Sequence, residues 1–187
     1  FLLAGGMGLW WTDRGWEATN CRKNQERFEQ GGVLQKFMAK LLVHPQINPR
    51  LSDDQFSVDG TLIEAWASHK SFKPKDGSDD GDGTNFHGQT RKNDTHASTT
   101  DPQSRLYRKA AGREAKLSYM GHAVMENRNG LAVAGMVTAA NGTAERRSSE
   151  TMLKSKAKRS GCRITAGEDK AYDTAAHVAN LRAANVT

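Results

Sequence analysis

The feature that most constrains the fold is a pair of alternating segments joined by a tight turn. Residues 117–125 alternate in polarity as a β-strand does, with one side formed by Leu117, Tyr119, Ala123 and Met125. Asn129-Gly130 follows, and this dipeptide is favoured in the two-residue turns of β-hairpins. The pattern of residues 131–138 then predicts the second strand of the hairpin. The sequence therefore predicts an antiparallel hairpin at the centre of any sheet that the chain forms.

Elements on either side of the hairpin extend this sheet. Before it, Phe56 and Val58 alternate with Ser57 and Asp59, which predicts a strand with Asp59 on the face opposite Phe56. After it, Thr143 is placed to cap a polar helix that runs to about Lys158. A short strand is predicted at 162–166. A last helix is predicted from about Thr174, with candidate buried positions Ala176, Val178 or Ala179, and Leu181.

This order of elements predicts an α/β protein. A hairpin followed by a strand–helix–strand crossover gives a mixed sheet with helices on its faces. Residues 1–50 read as an incomplete helical N-terminal region, in which residues 33–43 carry the apolar stripe of a packed helix. Residues 51–187 hold the sheet. Residues 68–105 lose all periodicity, which predicts a long, disordered and solvated insertion.

Charge and cysteine content narrow the function classes. The net charge of +6 and the sequence pI of about 9.4 favour a polyanionic partner such as nucleic acid. The two cysteines, Cys21 and Cys162, form no CxxC pair, which argues against a zinc site and fits a reducing cytoplasm. No segment approaches the roughly 18 apolar residues of a membrane span. None of the histidines has the spacing of a zinc-binding helix.

Two aspartates lie where predicted strands end. Asp59 stands in a Val-Asp-Gly-Thr block, and Asp169 follows the strand at 162–166. Carboxylates at the tips of neighbouring strands suit Mg²⁺ or Mn²⁺, which bind hard oxygen ligands and are completed by substrate phosphates. Spacing alone leaves an alternative open, because Asp-Gly also marks turns and Asp before a helix is a common cap.

Several blocks of the chain resemble the DDE transposases of bacterial insertion sequences. The similarity covers nearly the whole chain, and the blocks stand in the family's order. They are Trp16-Glu-Ala-Thr19, Lys23-Asn-Gln-Glu-Arg27, Phe56-Ser-Val-Asp-Gly-Thr-Leu-Ile-Glu-Ala-Trp-Ala-Ser68, Ser71-Phe-Lys-Pro-Lys-Asp-Gly77, Asn93-Asp-Thr-His-Ala-Ser-Thr-Thr-Asp-Pro102, Leu106-Tyr-Arg-Lys109, Gly121-His-Ala-Val-Met-Glu-Asn-Arg-Asn-Gly130, Gly142-Thr-Ala-Glu-Arg146 and Asp169-Lys-Ala-Tyr-Asp173.

The resemblance implies a ribonuclease H-like catalytic domain that uses two Mg²⁺ or Mn²⁺ ions. It assigns Asp59 as the first acid of the Asp-Asp-Glu triad and Asp169 as the second. The third acid, a Glu on a later helix, has no position to map onto, because the chain ends before it. We expect no earlier Glu to replace it, since each matches another part of the family pattern; these are Glu64, Glu114, Glu126, Glu145 and Glu150. The fragment is therefore expected to be inactive or nearly so by itself.

The partner implied is double-stranded DNA, both the terminal repeats of the element and its target, in the bacterial cytoplasm at the nucleoid. Self-association with transposase is a further expectation. Candidate phosphate contacts are Lys170, Lys73, Lys75, Arg108 and Lys109. His96 fits either a phosphate contact or a structural turn. The alternative function is a catalytically inactive remnant that binds DNA or interferes with intact transposase.

Overall fold

The computed structural model describes residue 24 and residues 27–77, 91–109 and 112–187. Its residues separate into two compact units, with the division between Arg50 and Leu51. The tryptophan-rich start of the chain and the acidic centre of the predicted insertion lie outside the described residues. Within the described ranges, no helix is both long enough and apolar enough to cross a membrane.

The first unit contains helix α1, Val33–Leu42. It begins after Gly32, whose φ of 58° is left-handed and suits a residue without Cβ. The predicted helix is confirmed, but the expected packing of its stripe is not. No residue of α1 is buried, and Leu34, Phe37 and Met38 are all exposed.

The second unit is built on a mixed sheet whose central strand is β1, Gln55–Glu64. Strand β5, Lys116–Glu126, pairs antiparallel with β1 along nearly its whole length. On the other edge of β5 lies β6, Ala132–Ala139, so the predicted hairpin is confirmed. Strand β7, Thr165–Gly167, pairs parallel with β1 on its opposite side. The predicted mixed α/β sheet is therefore present.

Helix α2, Ala144–Ser160, covers one face of this sheet. Leu153 on the apolar side of α2 is completely buried, and so are Phe56 and Val124 of the sheet. Burying a side chain of that size contributes roughly 1.5–3 kcal/mol. The ammonium of Lys156 lies 5.2 Å from the centre of the Phe56 ring and also pairs with Asp53 at 2.6 Å. Together these contacts fix α2 over the start of β1.

The predicted cap of α2 is wrong in its chemistry. Thr143 occupies the N-cap position but makes no side-chain capping hydrogen bond. Its hydroxyl donates instead to the Asn141 side-chain oxygen at 3.0 Å, and its backbone N–H donates to the same oxygen at 2.9 Å. The Thr143 hydroxyl therefore takes part in a turn formed by the Asn141 side chain and does not cap the helix.

The prediction of a disordered insertion at 68–105 is wrong for the residues that are described. Strands β2, Phe72–Pro74, and β3, His96–Ser98, form a two-stranded sheet, and β4, Arg105–Tyr107, joins β5 beside β6. Each strand has only three residues, too few to give a readable alternation. Residues 78–90 lie outside the described part of the chain, so the prediction stands untested there.

Side chains hold this insertion together. The hydroxyls of Ser71 and Ser98 are 2.7 Å apart in a buried hydrogen bond. The side-chain amide of Asn93 donates to the Leu106 carbonyl at 2.9 Å and accepts from the Leu106 N–H at 2.8 Å. It thus satisfies both backbone groups of Leu106, as a residue of a paired strand would. His96 stacks on Phe72, with ring centres 5.5 Å apart. This contact supports the structural alternative for His96.

The end of the chain closes against β7. The strand is shorter and later than the predicted 162–166, since Ile164 forms a separate parallel bridge with Val186. Helix α3, Ala175–Arg182, is capped by Thr174, whose hydroxyl accepts from the His177 N–H, so the predicted start is confirmed. Its buried residues are His177 and Leu181. Of the other predicted positions, Ala176 and Ala179 are exposed and Val178 is half-buried.

Both helices of the second unit contact each other on the covered side of the sheet. The opposite face carries Asp59, which is exposed between buried Val58 and Gly60, and three large exposed apolar side chains: Ile63, Met125 and Val137. The prediction that Asp59 faces away from Phe56 is confirmed. Helices on both faces are not seen within the described residues.

Candidate metal centre

The prediction that Asp59 ends a strand is wrong, because it lies in the middle of β1, whereas Asp169 does follow the end of β7. Pairing of β1 with β7 relates the positions of the two predicted metal ligands. The last paired residues are Ser57 and Gly167. Asp59 and Asp169 each lie two residues further along, and Asp169 keeps an extended backbone, with φ −68° and ψ 156°. Neighbouring strands are about 4.8 Å apart, and residues two apart share a face. The two aspartates are both exposed and occupy equivalent positions beyond the last paired residues.

Each aspartate uses one oxygen locally. One carboxylate oxygen of Asp59 accepts from the backbone N–H of Gly60 at 2.7 Å. The Asp169 carboxylate accepts from the Lys170 N–H at 2.6 Å and so caps a short 3-10 helix, Lys170–Tyr172. Both residues are exposed. The arrangement leaves two hard oxygen donors open to solvent.

A third carboxylate approaches the same end of β1 from the covered side. Glu145 lies in the first turn of α2 and is half-buried. A Cβ built on Gly60 would lie 2.8 Å from one of its carboxylate oxygens. A side chain at position 60 would therefore require the flexible end of Glu145 to move. Sequence reasoning did not assign Glu145 to the site, because the close approach depends on how α2 crosses β1.

Tyr172 is a buried residue close to these acids. Its side chain is 97% buried, as its relative exposure is 3%, and its hydroxyl has no hydrogen-bond partner within the described residues. Burial raises the pKa of this hydroxyl far above its ordinary value. The negative charges of four nearby carboxylates raise the pKa further; these belong to Glu145, Glu168, Asp59 and Asp169. Tyr172 thus remains a neutral donor that faces a concentration of negative charge.

Glu168 has a different role from its neighbour Asp169. The Ser149 hydroxyl donates to one of its oxygens, and the other lies 2.7 Å from the Nε2 of His177. The Nδ1 of His177 lies 3.1 Å from Glu150. Both ring nitrogens must donate for both contacts to be hydrogen bonds. With both oxygens engaged, Glu168 ties β7 to α2 and α3 and is not an open ligand.

Glu150 completes this buried link between the two helices. Burial alone would raise the pKa of its carboxyl, but hydrogen bonds outweigh that effect and hold the pKa below its usual value. The donors besides His177 are Asn180 at 3.2 Å and Lys154 at 3.3 Å. Sequence reasoning missed His177 because its partners lie on distant segments, and only a hydrophobic position was expected in this part of α3.

The acids are not packed closely enough in this conformation to form a finished metal site. No group of three or more His, Cys, Asp or Glu side chains within reach of one ion is found in the described ranges. The donor set nevertheless suits a hard divalent cation, since Asp59, Asp169 and Glu145 offer only carboxylate oxygens. The partnerless Tyr172 hydroxyl adds a donor for an oxygen ligand.

The predicted phosphate-contacting residues are spread over several elements. Lys170 is exposed directly after Asp169, Lys73 is exposed on β2, and Arg108 and Lys109 are exposed after β4. Lys75 differs from these residues, because its ammonium donates to the backbone carbonyls of Asn93 and Asp94 at 2.7 and 3.0 Å. Of this set, only Lys170 is adjacent to the acids.

No family model, curated protein or solved structure matches the chain. The positions of the acidic residues and the resemblance of the sequence blocks to insertion-sequence transposases are therefore the basis for a functional proposal.

Proposed function

We propose that residues 51–187 form the metal-binding core of a DNA-transposing enzyme, whose chemistry is divalent-metal-dependent phosphoryl transfer at the ends of an insertion sequence. The observation that supports the proposal is the parallel pairing of β1 with β7, beyond whose last pair Asp59 and Asp169 each lie two residues further along the chain. Two carboxylates on neighbouring strand ends are a typical start of a site for Mg²⁺. The net charge of +6 supports a polyanionic substrate.

The order of the strands supports a ribonuclease H-like domain. Strands β1, β5 and β6 form an antiparallel unit, α2 crosses over it, and β7 returns parallel to β1. This is the arrangement that the resemblance to insertion-sequence transposases implies. The first acid, Asp59, lies on the central strand, and the second, Asp169, follows the parallel edge strand.

Each acid has a role in this proposal. Asp59 and Asp169 would both hold divalent ions through their carboxylate oxygens. When bound, the ions activate water or a 3′-hydroxyl and stabilise the leaving oxygen of the phosphodiester. Lys170, next to Asp169, is positioned to contact a neighbouring phosphate. The products would be a nicked element end and then a new bond to target DNA.

Binding of duplex DNA with and without metal tests this proposal. We expect the purified chain to bind labelled duplex more tightly in Mg²⁺ or Ca²⁺ than in EDTA, and this gain to be lost in Asp59→Asn and Asp169→Asn. Glu114→Gln is the matched control, because it removes one exposed negative charge that lies before the start of β5. A wild-type affinity that is equal with and without metal would refute the proposal. So would a gain that survives both aspartate substitutions.

A second candidate is a DNA-binding remnant that does not cut. It is favoured by the finding that, within the described ranges, no three acidic or histidine side chains are close enough to hold an ion. This candidate predicts binding that ignores both metal and Asp59→Asn, yet weakens steeply between about 50 and 200 mM salt. The same titration therefore separates the two functions.

A further inference from the structure

Strand β6 leaves one edge of the sheet open. It pairs with β5 on one side, and no strand of the described residues pairs with it on the other. Its sequence, Ala-Val-Ala-Gly-Met-Val-Thr-Ala, contains no charged side chain and no proline. Edge strands are usually protected by such residues, by bulges or by a covering segment, because an open edge is a template for another strand. The register shift between β5 and β6 lies near the start of β6, so residues 134–139 are regular.

Hydrogen bonds at the two ends of β5 show which way its backbone groups point. The Ala65 N–H donates to the Leu117 carbonyl at 2.8 Å. Just beyond the other end, the Asn127 N–H donates to the Gln55 carbonyl at 3.0 Å. Backbone groups of successive residues in an antiparallel strand point to alternate sides. The odd-numbered residues of β5 therefore bond to β1, and the even-numbered residues bond toward β6.

The same alternation fixes the direction of the backbone groups in β6. The even-numbered residues of β5 from Met120 to Val124 have as partners Thr138, Met136 and Ala134. These three residues bond to β5. The residues between and beyond them turn their N–H and C=O groups toward the open edge. The outward residues are Gly135, Val137 and Ala139.

Strand β4 shows how a covered edge differs from this one. Leu106 is paired with Leu117, an odd-numbered residue, so its backbone groups also point away from β5. Both are satisfied by the Asn93 side chain, at 2.8 and 2.9 Å. Among the described residues, the backbone groups of Gly135 and Val137 have no such partner. The edge of β6 is therefore open where that of β4 is closed.

We propose that β6 pairs antiparallel with β6 of a second copy of this chain, about a two-fold axis at Val137. Val137 would lie opposite its counterpart, and Gly135 opposite the Ala139 of the other copy, so that the outward N–H and C=O groups bond across the axis. The Ala139 carbonyl would exchange its 3.3 Å hydrogen bond from the Asn141 side chain for one of these.

The composition of the edge favours a second copy over a foreign peptide. A two-fold axis places each strand opposite itself, so that a charged residue near the axis would meet its own charge. Strand β6 is neutral, and its outward residues are small. A neutral edge also offers a foreign peptide no charge to recognise. Val137 is 61% exposed and would gain an apolar neighbour. The inference goes beyond the metal chemistry, because β5 separates β6 from β1 and Asp59.

Amide hydrogen exchange of the wild-type chain at several protein concentrations tests the inference without any substitution. Between about 10 µM and about 1 mM, we expect exchange at Gly135 and Val137 to slow by about threefold or more. Met136 and Thr138, already bonded to β5, should exchange equally slowly throughout. Sedimentation over the same range should show a monomer becoming a dimer. A monomer at every concentration would overturn the inference. So would slow exchange at Gly135 and Val137 in the monomer, since another segment would then cover the edge.

Substitutions of Val137 separate backbone pairing from apolar contact. Val137→Pro removes an outward N–H and leaves the bonds to β5 in place, because proline is tolerated where the nitrogen of an edge strand faces solvent. It should weaken the dimer by about tenfold or more, whereas the matched control Val137→Thr, which keeps the N–H and the branched shape, should stay within about threefold of the wild type. Asp59→Asn, which tests the metal site, should dimerise as the wild type does.

Thermal melts followed by circular dichroism check that each variant is folded. If Val137→Pro does not fold, Val137→Lys takes its place, because it sets two like charges opposite each other across the axis. A folded proline or lysine variant that dimerises as the wild type does would show that the copies meet elsewhere. Equal loss of the dimer in Val137→Thr would show that apolar contact, and not the strand edge, holds the copies together. Either result overturns the inference and leaves the proposed function untouched.

Discussion

Replacement of Glu126 by Gln should destabilise the second unit although the two side chains have nearly the same shape. Glu126 is fully buried at the end of β5. Its carboxylate accepts four backbone N–H groups, from Ser52 and Arg128 on one oxygen and from Asn129 and Leu131 on the other, at 2.7–3.3 Å. These bonds join the segment before β1 to the turn between β5 and β6.

The expected loss follows from the hydrogen bonds. Gln keeps one oxygen, so two of the four N–H groups lose their acceptor and face an NH₂ group instead. A hydrogen bond to a charged group contributes about 1.5–3 kcal/mol. Residues 128 and 129 are exposed and can recruit water, which reduces the loss. We therefore expect the free energy of unfolding to fall by about 2–4 kcal/mol, measured by urea denaturation at neutral pH.

The loss should also depend on pH. Burial alone would raise the pKa of the Glu126 carboxyl, but the four backbone hydrogen bonds outweigh this effect and hold the pKa below its usual value. The stability that the carboxylate contributes is present above about pH 4.5 and is lost as pH falls through the lower pKa of the folded state. The difference in free energy of unfolding between the wild type and Glu126→Gln should therefore become smaller as the pH falls. A gap below about 0.5 kcal/mol at neutral pH, or one that widens in acid, would refute the reasoning.

Three further substitutions test other parts of the structure. Gly60→Ala places a Cβ 2.8 Å from the Glu145 carboxylate; since that group ends a flexible side chain, the free energy of unfolding should change by less than about 1 kcal/mol, and a larger loss in urea denaturation would show that Glu145 cannot move away. His177→Ala removes the side chain that joins the carboxylates of Glu150 and Glu168. It should lower the free energy of unfolding by about 2–4 kcal/mol, measured by urea denaturation, and a decrease under about 1 kcal/mol would argue against a stabilising role for these contacts. Lys170→Ala should reduce the slope of log affinity for DNA against log salt by about one, and Lys75→Ala, whose ammonium is already engaged, should not.

The long elements of the second unit could be predicted because their patterns are local. The hairpin of β5 and β6 follows from alternation and Asn129-Gly130, and α2 follows from the polar segment after Gly142. The strands β2, β3 and β4 could not be found, since three residues carry no period. They depend instead on side-chain bonds such as that between Ser71 and Ser98.

The site could be predicted only in part, for a related reason. The positions of Asp59 and Asp169 followed from strand order, and their alignment follows from the pairing of β1 with β7. Glu145 and Tyr172 could not be added, because their relation to Asp59 depends on the path of α2 and on the burial of one ring. The Glu168–His177–Glu150 contacts join three segments that no sequence window contains.

The link between α2 and β7 makes the site sensitive to chain length as well as to residue identity. The helix ends at Gly161, whose φ of 67° reverses the chain, and β7 begins at Thr165. Deletion of one residue in between would move every following side chain to the opposite face of the strand. Lys170 would then occupy the position of Asp169, and Asp169 would face α2 in the place of Glu168. All the acids would still be encoded, yet the outward carboxylate pair and the inward histidine link would both be lost, so indels here should be as damaging as loss of Asp169 itself.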